Sequence, residues 1–362
     1  MLIDIATASP PYKVLQEKAA AELKKRMSVR PAIGRLIESA SVHSGIDSRY
    51  IVIPDAEEGN EKKFYSSNGT YIQPDTRIRM NEYEKWSKLL AKEAVSKLFE
   101  VNNFNPEKLE RLITVTCTGF FAPGLDSYLI EEFKIPQSIK RINIGFMGCA
   151  AAITAINSVY DALNSAKEKE LNSLLVAVEL CSIHLQTQPT RDNILANLIF
   201  ADGCAAALFS NSKSEINRFE IIHTETFLFN NSADYMGWKI GNFGFEMILS
   251  SELPKIILES ASPQLLKIIS SKGIDKTEIK YWALHPGGRA ILDSLQNGIG
   301  LTDEQMLPSR KVLKNFGNMS SASILFVLKE ILNSYELKKV EYCCAVAFGP
   351  GLTMETVIFR VV

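Results

Sequence analysis

From residue 112 onward, short apolar runs alternate with longer stretches in which apolar residues recur every three or four positions. Residues 113–117, 141–147, 173–178 and 205–209 read as buried strands, with helical spacing between them. Strands alternating with helices predict an α/β architecture. The first quarter differs. Residues 17–25 and 82–99 carry apolar positions at helical spacing among charges, and the stretch between 52 and 73 is rich in Gly, Asn, Pro and charge, the pattern of a surface excursion. The opening Met-Leu-Ile-Asp-Ile-Ala lacks a basic leader and a long apolar core, so it predicts a first strand rather than a secretory signal.

A polar joint at 210–215 is followed by a second alternation: a strand at 280–284, a helix from Arg289, a helix at 321–332, and strands at 342–348 and 356–361. Gly148-Cys149 and Gly317-Asn318 each place a polar residue after a glycine at the opening of an apolar helix. That echo predicts two related halves, residues 1–212 and 213–362.

Composition narrows the classes. The 362 residues are 46% hydrophobic, enough for a large core, and their net charge is −1 with both signs mixed throughout. No basic footprint for nucleic acid is present. No apolar run reaches the roughly 18 residues of a membrane span. The six cysteines form no C-x-x-C pair, and the four histidines show no metal-ligand spacing. The expectation is a reduced, cytoplasmic thiol protein without a metal or a bound cofactor.

Three segments carry chemistry, each at a junction between an apolar strand and a turn of small residues. Cys149 follows Gly148 where a helix begins, a position that favours a thiolate. A buried structural thiol is an equal alternative on local sequence alone, and Cys204 shares that look. His285 ends the strand at 280–284 ahead of Pro286-Gly287-Gly288, and can pair with a thiol or polarise a thioester carbonyl. Asn318 can donate to the same oxygen or cap the turn at Ser320. Together a thiol, an imidazole and a carboxamide suit acyl transfer followed by carbanion chemistry on thioesters. Decarboxylating a malonyl thioester leaves an enolate, which needs neutral or cationic donors on its oxygen.

These segments, with Cys117-Thr-Gly-Phe-Phe-Ala-Pro-Gly, Glu179-Leu-Cys-Ser, Ile199-Phe200-Ala-Asp-Gly, His285-Pro-Gly-Gly-Arg-Ala-Ile-Leu-Asp, Gly317-Asn318-Met-Ser-Ser-Ala and Phe348-Gly-Pro-Gly, resemble the type III polyketide synthases, the chalcone synthase-like branch of the thiolase superfamily. The resemblance covers nearly the whole chain. It implies a layered αβαβα fold of two halves, a homodimer, and coenzyme A thioesters as substrates. By position, Cys149 would accept the acyl group, with His285 and Asn318 as the decarboxylation and oxyanion pair. Phe200 and Phe245 match two gating phenylalanines. Cys117, Ala122, Cys181, His184, Ala196, Phe243 and Ser320 fall on substrate-lining positions, and the loop Phe348, Gly349, Pro350 and Gly351 on the cavity wall, with Ala347 in place of a glycine.

Within the family the Cys117 segment is similar to bacterial alkylpyrone and alkylresorcinol synthases. The expected starter is fatty acyl, extended by malonyl-CoA. Ala122, where plant enzymes carry a methionine at the dimer crossing, implies extra room for a chain. The plant cluster that holds coenzyme A phosphates is thin here, with Arg35, His43 and Arg49 as its cations, so the starter comes from acyl-CoA or from an acyl carrier protein. Three alternatives stand beside this reading. They are a malonyl-only tetrahydroxynaphthalene-type synthase, a chain-initiating ketoacyl carrier-protein synthase, and an inert thiolase-fold scaffold. His285-Pro-Gly-Gly and Gly317-Asn-Met-Ser argue against the second.

Overall fold

The computed structural model describes residues 1–27, 30–56, 63–67, 69–166, 170–212 and 218–362. In chain order its strands are β1 (Leu2–Ala8), β2 (Tyr12–Leu15), β3 (Ser48–Ile51), β4 (Ser66–Ser67), β5 (Thr70–Tyr71), β6 (Arg111–Thr116), β7 (Lys140–Gly145), β8 (Asn172–Leu180), β9 (Asp202–Ser210), β10 (Phe219–Leu228), β11 (Met236–Gly241), β12 (Gly244–Leu249), β13 (Ile279–Leu284), β14 (Tyr342–Gly349) and β15 (Thr353–Val361). The helices are α1 (Gln16–Arg26), α2 (Pro31–Val42), α3 (Thr76–Val101), α4 (Leu125–Phe133), α5 (Ala151–Ser165), α6 (Arg191–Ile199), α7 (Leu253–Ile256), α8 (Ser262–Ser271), α9 (Arg289–Ile299), α10 (Asp303–Phe316) and α11 (Ser323–Ser334).

Nine strands form one sheet in the order β13-β14-β15-β10-β1-β9-β8-β6-β7. The pairing repeats. From β1 the sheet runs antiparallel to β9, antiparallel to β8 and parallel to β6. From β10 it runs antiparallel to β15, antiparallel to β14 and parallel to β13. The two series join where β1 pairs with β10.

Burial explains the layers. All nine residues of β8 and of β9 are buried, as a strand covered on both faces requires. One face of each series, including Leu175, Ala205, Ala345 and Phe359, packs with Ile153 and Ile156 of α5 and Leu325 and Leu328 of α11. The opposite face of the first series packs on Leu90, Val95 and Leu98 of α3. That of the second packs on α8, α9 and α10 through Leu265, Leu292 and Leu313. The result is helix, first strand series, central helices, second strand series, helix: the thiolase-like αβαβα arrangement.

The predicted elements appear with shifted ends. The helix at 82–99 begins at Thr76, where the Asp75 side chain accepts from the Ile78 amide and caps it. The strand predicted over 141–147 stops at Gly145, because Phe146 turns to φ 58°. Helix α2 has no counterpart in the patterning; Pro31 opens it, and exposed Leu36 and Val42 blur its apolar face. Of the stretch 52–73, residues 57–62 and 68 lie outside the described residues, as do 213–217 of the polar joint.

Candidate active site

The nucleophile turn comes first. After β7, Phe146 and Gly148 take positive φ angles of 58° and 59°, and a short 3-10 turn at Gly148–Ala150 leads into α5. A Cβ on Gly148 would lie 2.4 Å from Pro350 Cδ, so the bend needs glycine for conformation and for space. Cys149 is buried at the centre of the bend. Its sulfur lies 3.7 Å from Ser320 Oγ and 4.0 Å from the carboxamide of Asn318.

Asn318 sits just after α10, where Gly317 turns at φ 69°. Its backbone is clamped on both sides: its amide donates to the Ile199 carbonyl at 3.0 Å and its carbonyl accepts from the Ala201 amide at 2.8 Å. The side-chain oxygen accepts from the Ser320 amide at 2.8 Å, while Nδ2 donates to the Gly287 carbonyl at 3.3 Å. Asn318 thus does both jobs weighed from its sequence, holding the turn and facing the thiol. His285 ends β13, its amide bonded to Val346, and Gly287 lies two residues on. Its imidazole is buried, and neither ring nitrogen has a hydrogen-bond partner among the described residues. A buried ring with two open nitrogens is an exception that points to an incoming group.

Burial decides the electrostatics. It pushes the Cys149 thiol up to about 12, opposed by hydrogen bonds from Ser320 and Asn318. It drops His285 to about 3. Desolvation thus works against the thiolate that the helix start favours, and it disfavours the charged form of both groups. An uncharged imidazole still offers one N–H donor and one lone pair.

His184 contrasts with His285. Its Nε2 lies 2.6 Å from the Thr118 carbonyl and so donates, and its Nδ1 accepts from the Phe245 amide at 3.0 Å. Both nitrogens are used, and desolvation holds the ring neutral with a pKa of about 3. The ring stacks on Phe245 with centroids 4.2 Å apart, so His184 positions Phe245.

A cavity of about 530 Å³ opens beside this site. Phe200, Phe245, Cys181, His184 and Ala196 line it together with Trp238 and Met247, and it runs outward past Ile51, Ile53 and Tyr65 to α1. Cys149, His285 and Asn318 are not on its wall. Phe200 joins the two regions, because its backbone bridges to Asn318. Cys117 lies on the nucleophile's side: its amide donates to Glu179 at 2.9 Å and its thiol to the Gly148 carbonyl at 3.5 Å.

Ala122 is exposed in a turn with a cis bond to Pro123, off the cavity wall of its own chain, as a dimer-crossing position allows. Three placements differ from expectation. Phe243 is 49% exposed at the β11–β12 turn, outside the cavity wall. Phe348, Gly349, Pro350 and Gly351 lie off that wall as well; a Cβ on Gly349 would meet the Met147 carbonyl at 2.5 Å, so the loop backs the nucleophile turn instead. Arg49 is buried and donates to the carbonyls of Asn197 at 2.8 Å and Phe200 at 2.6 Å, closing the end of α6 rather than meeting phosphates. Arg35 and His43 are exposed.

The patterning missed Trp238 and the role of Glu179. Buried Glu179 gathers Cys117, Thr118 and Ser321 around one carboxylate, and burial raises it to about 7. A carboxylate inside an otherwise apolar strand was the available signal. Trp238 had none, since no residue of β11 is fully buried and its pattern shows no apolar alternation.

Comparison with known proteins agrees with this arrangement. Residues 220–362 match the model for chalcone and stilbene synthases, C-terminal domain, and residues 59–232 match that for FAE1/type III polyketide synthase-like proteins. The chain belongs to the type III polyketide synthases. It is therefore an acyl-transferring, condensing enzyme. The alpha-pyrone synthesis polyketide synthase-like Pks18 of Mycobacterium tuberculosis is 27% identical, over 99% of this chain and 90% of that one. The crystal structure of PKS-I from the brown alga Ectocarpus siliculosus superposes with a TM-score of 0.91 at 29% identity, covering 100% of this chain and 98% of that one. The 1,3,6,8-tetrahydroxynaphthalene synthase of Streptomyces coelicolor A3(2) superposes with a TM-score of 0.87 at 25% identity, covering 99% and 98%. Among the described residues no helix is long and apolar enough to cross a membrane, and no group of His, Cys, Asp and Glu could hold a metal ion.

Proposed function

We propose that this type III polyketide synthase loads a fatty acyl starter onto Cys149, extends it with malonyl-CoA, and releases an alkylpyrone or alkylresorcinol. The observation that carries this reading is the cavity of about 530 Å³, apolar along Val14, Leu23, Ile51 and Ile53, beside a buried thiol and an unpartnered imidazole. Lys18, Lys25 and Arg26 line it with Glu22, which pairs with Lys25 and Arg26, and coenzyme A is the carrier proposed. The relative whose name specifies alpha-pyrone synthesis supports a lactone product.

In this mechanism Cys149 Sγ attacks the starter thioester as its proton passes to His285, and the coenzyme A thiol leaves carrying a proton. Phe200 and Phe245 gate the passage. Malonyl-CoA then loses carbon dioxide; the electron pair of the broken C–C bond moves onto the thioester as an enolate. The His285 N–H and Asn318 Nδ2 hydrogen-bond that oxygen, and neutral donors are favourable where a carboxylate would repel the charge. The enolate carbon attacks the acyl carbonyl on Cys149, the C–S bond breaks, and Cys149 leaves as a thiolate, which takes the lengthened ketoacyl chain from its coenzyme A thioester to begin the next round. The Phe348–Gly351 loop keeps the nucleophile turn in place behind it.

The same reading holds residues 1–212 and 213–362 as the two halves, each built on one of the repeated pairing series. It makes the enzyme a cytoplasmic homodimer without a bound cofactor. All six cysteines are free, as a reducing compartment maintains them. Edge strand β7 and exposed Phe120 and Phe146 offer a face for the second copy.

The test is incubation with malonyl-CoA, with and without acyl-CoA starters of graded length, and mass spectrometry of the products. Starter-dependent pyrones or resorcinols are expected. Naphthalene product from malonyl-CoA alone, or one condensation released as a ketoacyl carrier protein, would overturn the reading. Product only from acyl carrier protein would correct the carrier.

A further inference from the structure

Asn318 stands where two helices end side by side. Helix α10 stops at Phe316, two residues before it, and α6 stops at Ile199. The chain leaving α6 then pairs with it. The Asn318 amide donates to the Ile199 carbonyl, the Ala201 amide donates to the Asn318 carbonyl, and Phe200 forms the bridge between the two segments. These bonds place the carboxamide only as firmly as the two helix ends are held.

Strand β3 and its flanking residues hold both ends. Toward α10, the Asp47 amide donates to the Lys314 carbonyl at 2.8 Å and Ser48 Oγ donates to the Asn315 carbonyl at 3.2 Å. The Tyr50 ring stacks on Phe316 with centroids 5.6 Å apart. Toward α6, Arg49 Nη1 donates to the carbonyls of Asn197 at 2.8 Å and Phe200 at 2.6 Å. The Val52 amide donates to the buried Asp202 carboxylate at 2.7 Å, just past that segment. A Cβ on Gly317 would lie 2.8 Å from Arg49 Cγ and Cδ, so the arginine stem packs against the residue before Asn318. The guanidinium is buried. A charged donor on the Phe200 carbonyl polarises the peptide unit whose other end, the Ala201 N–H, donates to Asn318. One peptide unit therefore connects the Arg49 charge to the Asn318 backbone.

We propose that Arg49 is a positioning residue for Asn318, holding the carboxamide where the enolate oxygen forms when malonyl-CoA loses carbon dioxide. The proposal rests on the synthase reading above, in which starter loading runs through Cys149 and His285 and the enolate step needs Asn318 as well. A residue that merely stabilised the β2–β3 hairpin would affect the two steps alike. The effect of removing it would also be undiminished when the Asn318 side chain is absent.

The experiment measures the two half-reactions separately in the whole chain. Loading is followed as the mass gained from octanoyl-CoA alone, and decarboxylation as the acetyl-CoA formed from malonyl-CoA alone when the enolate takes a proton. Arg49→Met keeps the apolar stem and removes the donors. It should slow decarboxylation about thirtyfold, short of the roughly hundredfold loss of an oxyanion donor itself, and slow loading less than about threefold. Arg49→Lys keeps the charge, but its ammonium falls one bond short of both carbonyls, so the same split should appear with a smaller loss. In an Asn318→Ala background, Arg49→Met should slow decarboxylation by less than about a further threefold. Equal slowing of both half-reactions, or an undiminished loss in the Asn318→Ala background, would overturn the proposal. If circular dichroism shows that Arg49→Met does not fold, the same comparisons with Arg49→Lys decide. A wild-type enzyme that neither loads nor decarboxylates would overturn the synthase reading and this proposal with it.

Discussion

At the scale of single residues, two buried histidines show why partners matter more than residue type. His184 and His285 are both held near pKa 3 by desolvation. His184 spends both nitrogens on Thr118 and Phe245, which leaves it no chemistry. His285 spends neither. Desolvation likewise raises the thiol beside Asn318, so the proposed reading has the pair pass a proton when substrate arrives rather than wait as ions. The sign follows directly. A thiol pKa raised to about 12 makes the thiolate fraction climb with pH, and a histidine at about 3 adds no step near neutrality. Alkylation of Cys149 by iodoacetamide should therefore rise about tenfold per pH unit between about pH 6 and 9. A rate that stays flat across that range would show a preformed thiolate–imidazolium pair and contradict this account.

At the scale of elements, the nucleophile turn and the Phe348–Gly351 loop are built for each other. Gly148 has no room for a Cβ against Pro350, and Gly349 has none against the Met147 carbonyl. The second clash is with backbone, which cannot swing aside. Gly349→Ala should displace the turn that carries Cys149 and lower turnover about a hundredfold, the penalty of a shift of about 1 Å at a reacting group. The melting temperature should fall by only a few degrees. Turnover near the wild-type rate would refute the coupling. The sequence revealed the turn, because a glycine before a reactive residue at a strand end is a local signal. It did not reveal what lies behind it. The contact between residues 147 and 349 joins distant parts of the chain, and a Phe-Gly-Pro-Gly loop carries no mark of which wall it meets. Arg49 and Trp238 escaped for the same reason. A buried arginine that closes a helix end looks, in sequence, like a surface cation, and an indole in a half-buried hairpin looks like ornament.

At the scale of the whole molecule, the two strand series bring the site together across their junction. Cys149 comes from the first series, and His285 and Asn318 from the second, so neither half holds all three residues of the proposed site. This much was legible, since the strands of each series are dense in β-branched and small apolar residues and the motifs sit at their ends. The edge at β7 was not, because edges depend on strand order. Sedimentation should give twice the chain mass of 40.3 kDa. A monomer that turns over normally would refute the dimer. The central claim is that Cys149 carries the growing chain. It is tested most directly by incubating the protein with an acyl-CoA starter alone and measuring the intact mass, then mapping the adduct by peptide. The account predicts one acyl group in thioester linkage on Cys149 and none on Cys149→Ala. An adduct that persists in that variant, or maps to another cysteine, would contradict it.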